Sequence, residues 1–367
     1  MKICHFISVH PYRDTRILLK ECSTLAAEGY EVHLVAPDAP ENEIENGVFL
    51  HSSPRSEGGR LTRMTKTMWN VFQKAKSLNA DIYHFHDPEL IPAALLLRRS
   101  GKKVIYDVHE DVPRDILTKS WIPAPLRMLI SKSFEVLENY ASKKMSYIIT
   151  ATPFIKMRFQ RLVPHVEVVN NYPILHELEV PEIDLQQKES AVTYVGSITK
   201  IRGITEMVEA AGKTDAKLLL GGKFSPQELR EEIIKLAGWS QVEELGQLDR
   251  KTVAETFARA MAGLILLHPA PNHIDAQPNK MFEYMSAKLP LIGSDFPLWK
   301  EIIEGNSCGL CVDPLSKDDI AQAIQYILDH PEEANAMGEN GYQAVLNKYN
   351  WEVESKVLIS VYKELEA

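Results

Sequence analysis

The chain is predicted to fold as two doubly wound α/β domains, each a parallel sheet covered by helices on both faces, facing one another across a cleft. Three observations predict this. Short apolar runs alternate with helical patterns from end to end, as in parallel sheets buried on both sides. The 367 residues, 45% of them hydrophobic, suffice for two cores rather than one. A polar stretch, Pro173 to Ser190, interrupts the alternation near the middle and reads as a linker.

In the first half, residues 1–172, the expected strands are Lys2–Ser8, Glu31–Ala36, Val48–His51, Asp81–Phe85, Lys103–Val108 and Tyr147–Ala151. Helical spacing lies between them at Asp14–Glu28, Leu61–Leu78 and Pro125–Lys143. In the second half, residues 191–345, the expected strands are Val192–Val195, Lys217–Leu220, Val242–Leu245, Gly263–Leu267, Leu289–Gly293 and Leu310–Val312. Helices are expected at Ile204–Ala211, Pro226–Leu236, Thr252–Ala260 and Asp318–Leu328, with a last helix over Asn350–Leu365. Ligands of such sheets bind beyond the carboxyl ends of the strands, so site residues should follow strands.

Composition narrows the setting. No apolar run is long enough to span a bilayer, and MKICHFISV enters a strand pattern without the layout of a signal peptide. Cys4, Cys22, Cys308 and Cys311 are too few for a disulfide framework, and Cys308 and Cys311 read as thiols on a short strand. A reduced, cytoplasmic location is expected. The net charge of −9 is uneven: residues 1–170 hold 23 Lys and Arg against 19 Asp and Glu, the remainder 18 against 31. The basic excess gathers in Arg55, Arg60, Arg63, Lys66, Lys74 and Lys76, interleaved with Met64, Met68, Trp69 and Phe72. Such a segment suits either a solvated helix or an anionic membrane surface. Nucleic-acid binding is disfavoured by the acidic total and the lack of a motif.

The most informative stretch is DAQPNKMFEYMSAKLPLIGSD, Asp275 to Asp295. It reads as a loop, a helix opening at Pro278, and a short strand. Gln277 is a poor N-cap, so the amides of Asn279, Lys280 and Met281 are expected to point at a ligand. Lys280 opposes the helix dipole at a cost of about 0.3–1 kcal/mol, which a charge-assisted bond to a phosphate, about 1.5–3 kcal/mol, would outweigh. Glu283, a turn further in, could accept hydrogen bonds from sugar hydroxyls. YVGSITKIRGI repeats the pattern: a strand, Gly196 at the turn, then Lys200 and Arg202 ahead of a helix. A diphosphate held between Lys280 and Arg202 accounts for both.

The first half carries different chemistry. YDVHEDVPR leaves its strand with His109 and Glu110, HFHDPEL places His86 and Asp87 after a neighbouring strand, and VHPYRDTRI places His10, Asp14 and Arg16 after the first. Histidine can orient sugar hydroxyls or handle a proton near neutral pH. Asp14 suits an N-cap equally well. The spacing matches no metal-ligand pattern, and no metal or other cofactor is expected. The chain has no G-x-G-x-x-G, no Walker A loop, no G-x-S-x-G elbow and no D-x-D pair.

Together these segments resemble retaining glycosyltransferases of family GT4, whose GT-B fold pairs two Rossmann-like domains and many of which build bacterial surface polysaccharides. The resemblance covers essentially the whole chain. Asp275 to Glu283 resembles the family's E-x7-E motif, with Asp275 in place of the first Glu and Glu283 at the position that holds the donor ribose. It implies a donor diphosphate on Gly196, Lys200, Arg202, Asn279 and Lys280, and a nucleotide base beside Gly246, Gln247 and Leu248 in VEELGQLDR. It implies that His109 contacts the transferred sugar. The helix after Trp351, within residues 346–367, resembles a segment that crosses back to the first domain. The expected function is transfer of a hexosyl or N-acetylhexosaminyl group from a nucleotide-diphosphate sugar, UDP preferred over GDP, to a saccharide or lipid-linked acceptor. His10, Asp14, Arg16, His86, Asp87 and Glu110 fall on the acceptor side. A nucleotide-sugar epimerase and a non-catalytic sugar-nucleotide-binding subunit are the alternatives.

Overall fold

The structure, a computed structural model, describes residues 1–59, 62–119, 122–175, 177–178, 180–181, 184–271 and 273–366, with Arg63 described by its backbone alone. The chain divides into two compact units: Met1–Asn171 with Trp351–Ala367, and Tyr172–Asn350. The expected fold class is found in each, a parallel sheet flanked by helices.

The first unit has eight strands: β1 (Lys2–Phe6), β2 (Glu31–Ala36), β3 (Glu43–Glu45), β4 (Val48–Ser52), β5 (Ile82–Phe85), β6 (Lys103–Val108), β7 (Tyr147–Thr150) and β8 (Val166–Val168). Their order is β3-β4-β2-β1-β5-β6-β7-β8, parallel except for β3 against β4. The central strands β1, β5 and β6 are buried on both faces, which is why they read as continuous apolar runs. The exceptions are His5, His84 and Asp107, all fully buried. His5 stands in register with His84 on the neighbouring strand. The strands β3 and β8 were not expected; each is only three residues long, too short to show a period.

The helix expected over 14–28 opens as a wide π-helical turn, Thr15–Cys22, before Ser23–Ala27. Asp14 caps it, accepting from the amides of Arg16 and Ile17 at 2.9 and 3.1 Å. Of the segment expected as one helix over 61–78, Arg60 and Leu61 lie outside the described residues. The rest runs as Arg63–Thr67 and Met68–Ser77. The last helix, Trp351–Glu366, packs within this unit. Trp351 Nε1 donates to Thr24 Oγ1 at 2.9 Å, and Glu354 accepts from the amide and side chain of Asn170 at 2.7 and 3.0 Å.

The second unit has six strands: β9 (Ala191–Val195), β10 (Lys217–Gly221), β11 (Val242–Gly246), β12 (Ala262–Ile265), β13 (Leu291–Ser294) and β14 (Gly309–Val312). Their order, β11-β10-β9-β12-β13-β14, reverses between β9 and β12. At such a switch point the loops leaving the two strands diverge and open a crevice for a ligand. In the first unit the reversal falls between β1 and β5.

Three expectations need correction here. The strand expected from Leu289 begins at Leu291, because Pro290 has no N–H to give the ladder. The helix expected over 226–236 shrinks to Leu229–Ile233. The stretch 173–190, expected as a linker, packs on the second unit instead: Leu175, Leu178, Val180 and Leu185 lie against its cores. Sparse apolar residues among acids read as solvated in sequence, yet four of them suffice to anchor the segment.

Candidate functional site

Both loops that leave the switch point of the second sheet carry a cation. After β9 the chain turns at Gly196, whose φ is +151°, and continues through the short helix Lys200–Arg202 to the helix Ile204–Ala211. After β12 it passes through His268, His273 and Asp275 to the helix Asn279–Ser286. Pro278 is the N-cap of that helix rather than its first residue, and its carbonyl accepts the amide of Met281 at 3.0 Å. Met281 is therefore not among the free amides. Those of Asn279 and Lys280 remain, since a helix cannot satisfy its own first amides.

The Lys280 side chain folds back over the turn after β9. A Cβ on Gly196 would overlap Lys280 Cε and Nζ, so only glycine leaves room for it. Gly222, at the end of β10, approaches the carbonyl of Gly196 as closely, and its amide donates to the Gly246 carbonyl at 2.6 Å. The turns after β9, β10 and β11 thus lie side by side with little side chain between them. Gly246 and Leu248 belong to this edge: Leu248 packs where a Gly221 side chain would stand. Gln247 is exposed.

Burial and the neighbouring charges of Arg202 and Arg250 lower the pKa of Lys280, against the pull of Glu283. Arg202 hydrogen-bonds the Tyr194 hydroxyl, which donates onward to the Ser197 carbonyl at 2.8 Å. Among the described residues neither Arg202 nor Lys280 has a carboxylate within ion-pairing distance, although other cations of the unit do. Arg202 and Lys280 thus lie near enough for each to disfavour the other's charge, and neither is neutralised by an ion pair.

Other expected members sit differently. Lys200 pairs with Glu232 at 2.5 Å and is well exposed, so it is spent on the surface. Glu283 is paired with Arg250 at 2.8 Å, and Arg250 also reaches Glu177 at 3.1 Å. Asp275 is half-buried, and burial raises its pKa. Residues that the sequence reading passed over are Tyr194, Arg250, His268 and His273. His273 donates Nδ1–H to the His268 carbonyl at 3.1 Å, and His268 meets Glu206 at 3.1 Å. The signal for the two histidines was their place in the loop after a strand at the switch point.

The first unit gathers its titratable residues at the carboxyl ends of β1, β5 and β6. Asp87 accepts the amides of Ser8 and Val9 at 2.5 and 2.9 Å and meets His10 Nδ1 at 2.7 Å. Burial opposes its charge, but His10 and the two amides outweigh that and hold its pKa down to about 2. His10 is part-exposed and Glu110 exposed, whereas Arg16 and His86 are not open to an acceptor. Arg16 is buried beneath, bidentate to Asp107 at 2.9 and 2.8 Å, with its third arm on the Val169 carbonyl at 2.7 Å. Asp14 is committed to its cap. Asp107 went unnoticed in the sequence, although a lone carboxylate inside the apolar strand KVIYDV marks a buried charge that needs a partner.

Asp107 fixes the hydrogens of a chain of histidines. Burial opposes its charge, but Arg16 keeps it ionised. Both nitrogens that touch its Oδ2 must then carry hydrogen: His109 Nε2 at 2.8 Å and His86 Nδ1 at 3.1 Å. Burial lowers the pKa of His86 to about 4, so the ring is neutral and its Nε2 accepts from His5 Nδ1 at 3.0 Å. Burial also keeps His5 neutral, so its Nε2 accepts from the Tyr362 hydroxyl at 3.1 Å. The Tyr362 oxygen accepts from His84 Nδ1 at 2.7 Å. The chain ends at His84 Nε2, an acceptor with no partner among the described residues. At its other end His109, half-buried, turns Nε2 inward to Asp107 and leaves Nδ1 outside this chain of hydrogen bonds.

Two groups here, His5, Glu21, His84 and His86, and His86, Asp107 and His109, have ligand atoms within 4.8 Å of one another and could hold a metal ion. His5, His86, Asp107 and His109 already serve each other as donors and acceptors, so an entering cation would have to displace those hydrogens, whereas the Glu21 oxygens and His84 Nε2 have no hydrogen-bond partner among the described residues. Cys308 and Cys311 are free, and burial pushes both thiols up to about 12.

Two family profiles match the chain end to end: "Glycosyltransferase Family 4" over residues 15–172 and "Glycosyl transferases group 1" over residues 177–344. A glycosyltransferase of Methanocaldococcus jannaschii, itself uncharacterized, is 26% identical over 99% of this chain and 98% of its own length. The alpha-D-kanosaminyltransferase of Streptomyces kanamyceticus is 26% identical over 47% of this chain and 45% of that protein, so the match spans about half its length. Among solved structures, sucrose-phosphate synthase from Thermosynechococcus elongatus superposes with a TM-score of 0.79 at 18% identity, over 99% and 98% of the two chains. Anabaena HepE, solved in complex with UDP and glucose, superposes with a TM-score of 0.74 at 12% identity, over 99% and 100%.

Proposed function

The chain is a family 4 glycosyltransferase of the GT-B fold, and on that premise we propose that it transfers a sugar from a nucleoside-diphosphate donor to an acceptor hydroxyl with retention of the anomeric configuration. The observation that carries this reading is Lys280 folded over Gly196, with the charge of Arg202 near it and neither side chain ion-paired to a carboxylate among the described residues. Cleavage of the bond from the sugar to the diphosphate places negative charge on the departing phosphate. Lys280, Arg202 and the amides of Asn279 and Lys280 are the groups available to stabilise it, by electrostatics rather than by a covalent intermediate. Glu283 is positioned by Arg250 to accept hydrogen bonds from the ribose. Leu248 and the Gly246 turn border the base. His109 Nδ1 offers an acceptor to a sugar hydroxyl. His10, with its ring beside His109 at 5.0 Å between centroids, faces the acceptor.

The UDP and glucose held by the structural relative support a uridine donor carrying a hexosyl or N-acetylhexosaminyl group, and assembly of a surface polysaccharide or glycolipid is the role we assign. The test is release of nucleoside diphosphate from a panel of UDP- and GDP-sugars, with saccharide and lipid-linked acceptors. Product should form with one donor, depend on acceptor, and fall severely in Lys280→Ala and in Glu283→Ala while both variants keep the wild-type melting temperature. Near-normal turnover in both would defeat the assignment, and donor consumption without acceptor would favour an epimerase.

A further inference from the structure

The helix Ala124–Ser142 is inverted with respect to the fold that carries it. Its inward side is largely polar: Ser131, Glu138 and Ser142 are buried there with Ala141, and half-buried Phe134 packs on the core. That side is satisfied. Ser131 Oγ donates to the Pro113 carbonyl at 2.7 Å, Glu138 accepts from the Tyr106 hydroxyl at 2.8 Å, and Arg158 pairs with Glu138. Its outward side is a helical stripe of Leu126, Leu129, Ile130, Val136, Leu137 and Tyr140, with Leu129 63% and Val136 70% exposed. Helices of soluble proteins turn the apolar stripe inward, and a patch of this kind marks a surface that something covers.

The charges around the stripe select the partner. Lys132 is the exposed charged residue of the helix, and Lys143 and Lys144 follow its end. The acids are withdrawn: Glu135 is held by Arg114 at 2.6 Å, and Glu138 is buried. Lys144 lies over the Tyr140 ring at 5.8 Å, and its carbonyl is held by Arg98 of the neighbouring helix Ile91–Arg99, where Leu96 and Arg99 are also exposed. A second copy docked about a two-fold axis would bring this cationic, acid-poor face against itself, with no exposed acid of the helix to meet the lysines. A sheet of anionic headgroups meets them directly, and the stripe can enter the acyl boundary while the lysines stay at headgroup level.

We propose that the helix Ala124–Ser142 lies on an anionic lipid bilayer, with its Leu126-to-Tyr140 stripe inserted. The proposal makes no use of the basic segment around Lys66 to Lys76, and it does not depend on the donor site. The test is co-sedimentation of the full chain with vesicles of phosphatidylcholine alone or mixed with phosphatidylglycerol, at low and high salt. The wild type should sediment with the mixed vesicles and partition about tenfold less onto the neutral ones. Leu129→Asp with Val136→Asp should abolish binding, and Lys132→Glu should weaken it. Lys66→Glu with Lys76→Glu should leave it. All these positions are exposed, and unchanged melting temperatures would show that the variants fold. Absence of binding to mixed vesicles would overturn the proposal, as would undiminished binding by the Asp double variant or dependence on Lys66 and Lys76 instead. So would sedimentation velocity showing a dimer that the Asp variant dissolves, which would assign the stripe to a second copy.

Discussion

Lys280 lies across Gly196: its Cε and Nζ occupy the space in which any side chain at position 196 would begin. The glycine turn after one strand and the first helical turn after another are therefore a single device. It follows that Gly196→Ala should displace Lys280 and mimic its removal. Losing one charge-assisted bond of about 1.5–3 kcal/mol corresponds to roughly 10- to 150-fold in nucleoside-diphosphate affinity. Calorimetric titration should show Gly196→Ala and Lys280→Ala weakened alike, and the double variant little weaker than either.

Glu283 ion-pairs with Arg250 and not with Lys280, although its charge is felt there. Arg250 is thus a positioning residue, and Arg250→Ala should weaken nucleoside diphosphate while leaving inorganic pyrophosphate unaffected. Titration of both ligands against that variant separates the two contributions. Equal loss for both would place Arg250 on the phosphates instead.

The buried Arg16–Asp107 pair organises the first unit's cluster. Asp107→Asn would remove the bidentate partner of Arg16 and leave Glu21, at 3.1 Å, to meet the guanidinium, a defect worth up to about 3–5 kcal/mol. Thermal unfolding should show a large drop in melting temperature. Tyr362→Phe should cost less, about 1–3 kcal/mol, because it orphans one donor and one acceptor, His84 Nδ1 and His5 Nε2.

Burial lowers the pKa values of His5 and His84 well below 6.5, and that of His86 to about 4. Below pH 6.5 the unfolded chain binds protons that the folded cluster refuses. Their contribution to stability is therefore complete above pH 6.5 and falls as pH drops toward 4. Asp87 adds a second loss between about pH 4 and 2. His10 works the other way, its pKa raised by Asp87 despite burial, and its smaller contribution fades as pH rises above 6.5. Glu21 opposes this loss, because burial raises its pKa well above 4.5 and the folded state then takes up a proton as pH falls. In a Glu21→Gln background, melting temperatures measured from pH 8 down to 4 should fall chiefly below 6.5, and a flat profile there would contradict neutral buried histidines.

Much of this was legible in the sequence because it follows from local rules. The alternating apolar runs name the central strands, and a lysine in a first helical turn beside a missing N-cap singles out Lys280, on which the proposed donor site rests. What was not legible depends on partners distant in the chain. Nothing near Lys200 announces Glu232, and nothing near Glu283 announces Arg250. Arg16 looks like an exposed loop cation until Asp107, 91 residues later, is folded beneath it. The helix Ala124–Ser142 has the spacing of an ordinary core helix, and only its packing shows that the apolar stripe faces out.

The clamp formed by Arg202 and Lys280 is tested most directly by titrating UDP and GDP, with and without their sugars, into the wild type, Arg202→Ala, Lys280→Ala and the double variant. Wild type should bind one of the two nucleotides. Each single variant should lose at least about tenfold, and the double variant should bind neither. Undiminished affinity in Lys280→Ala would mean that the diphosphate lies elsewhere.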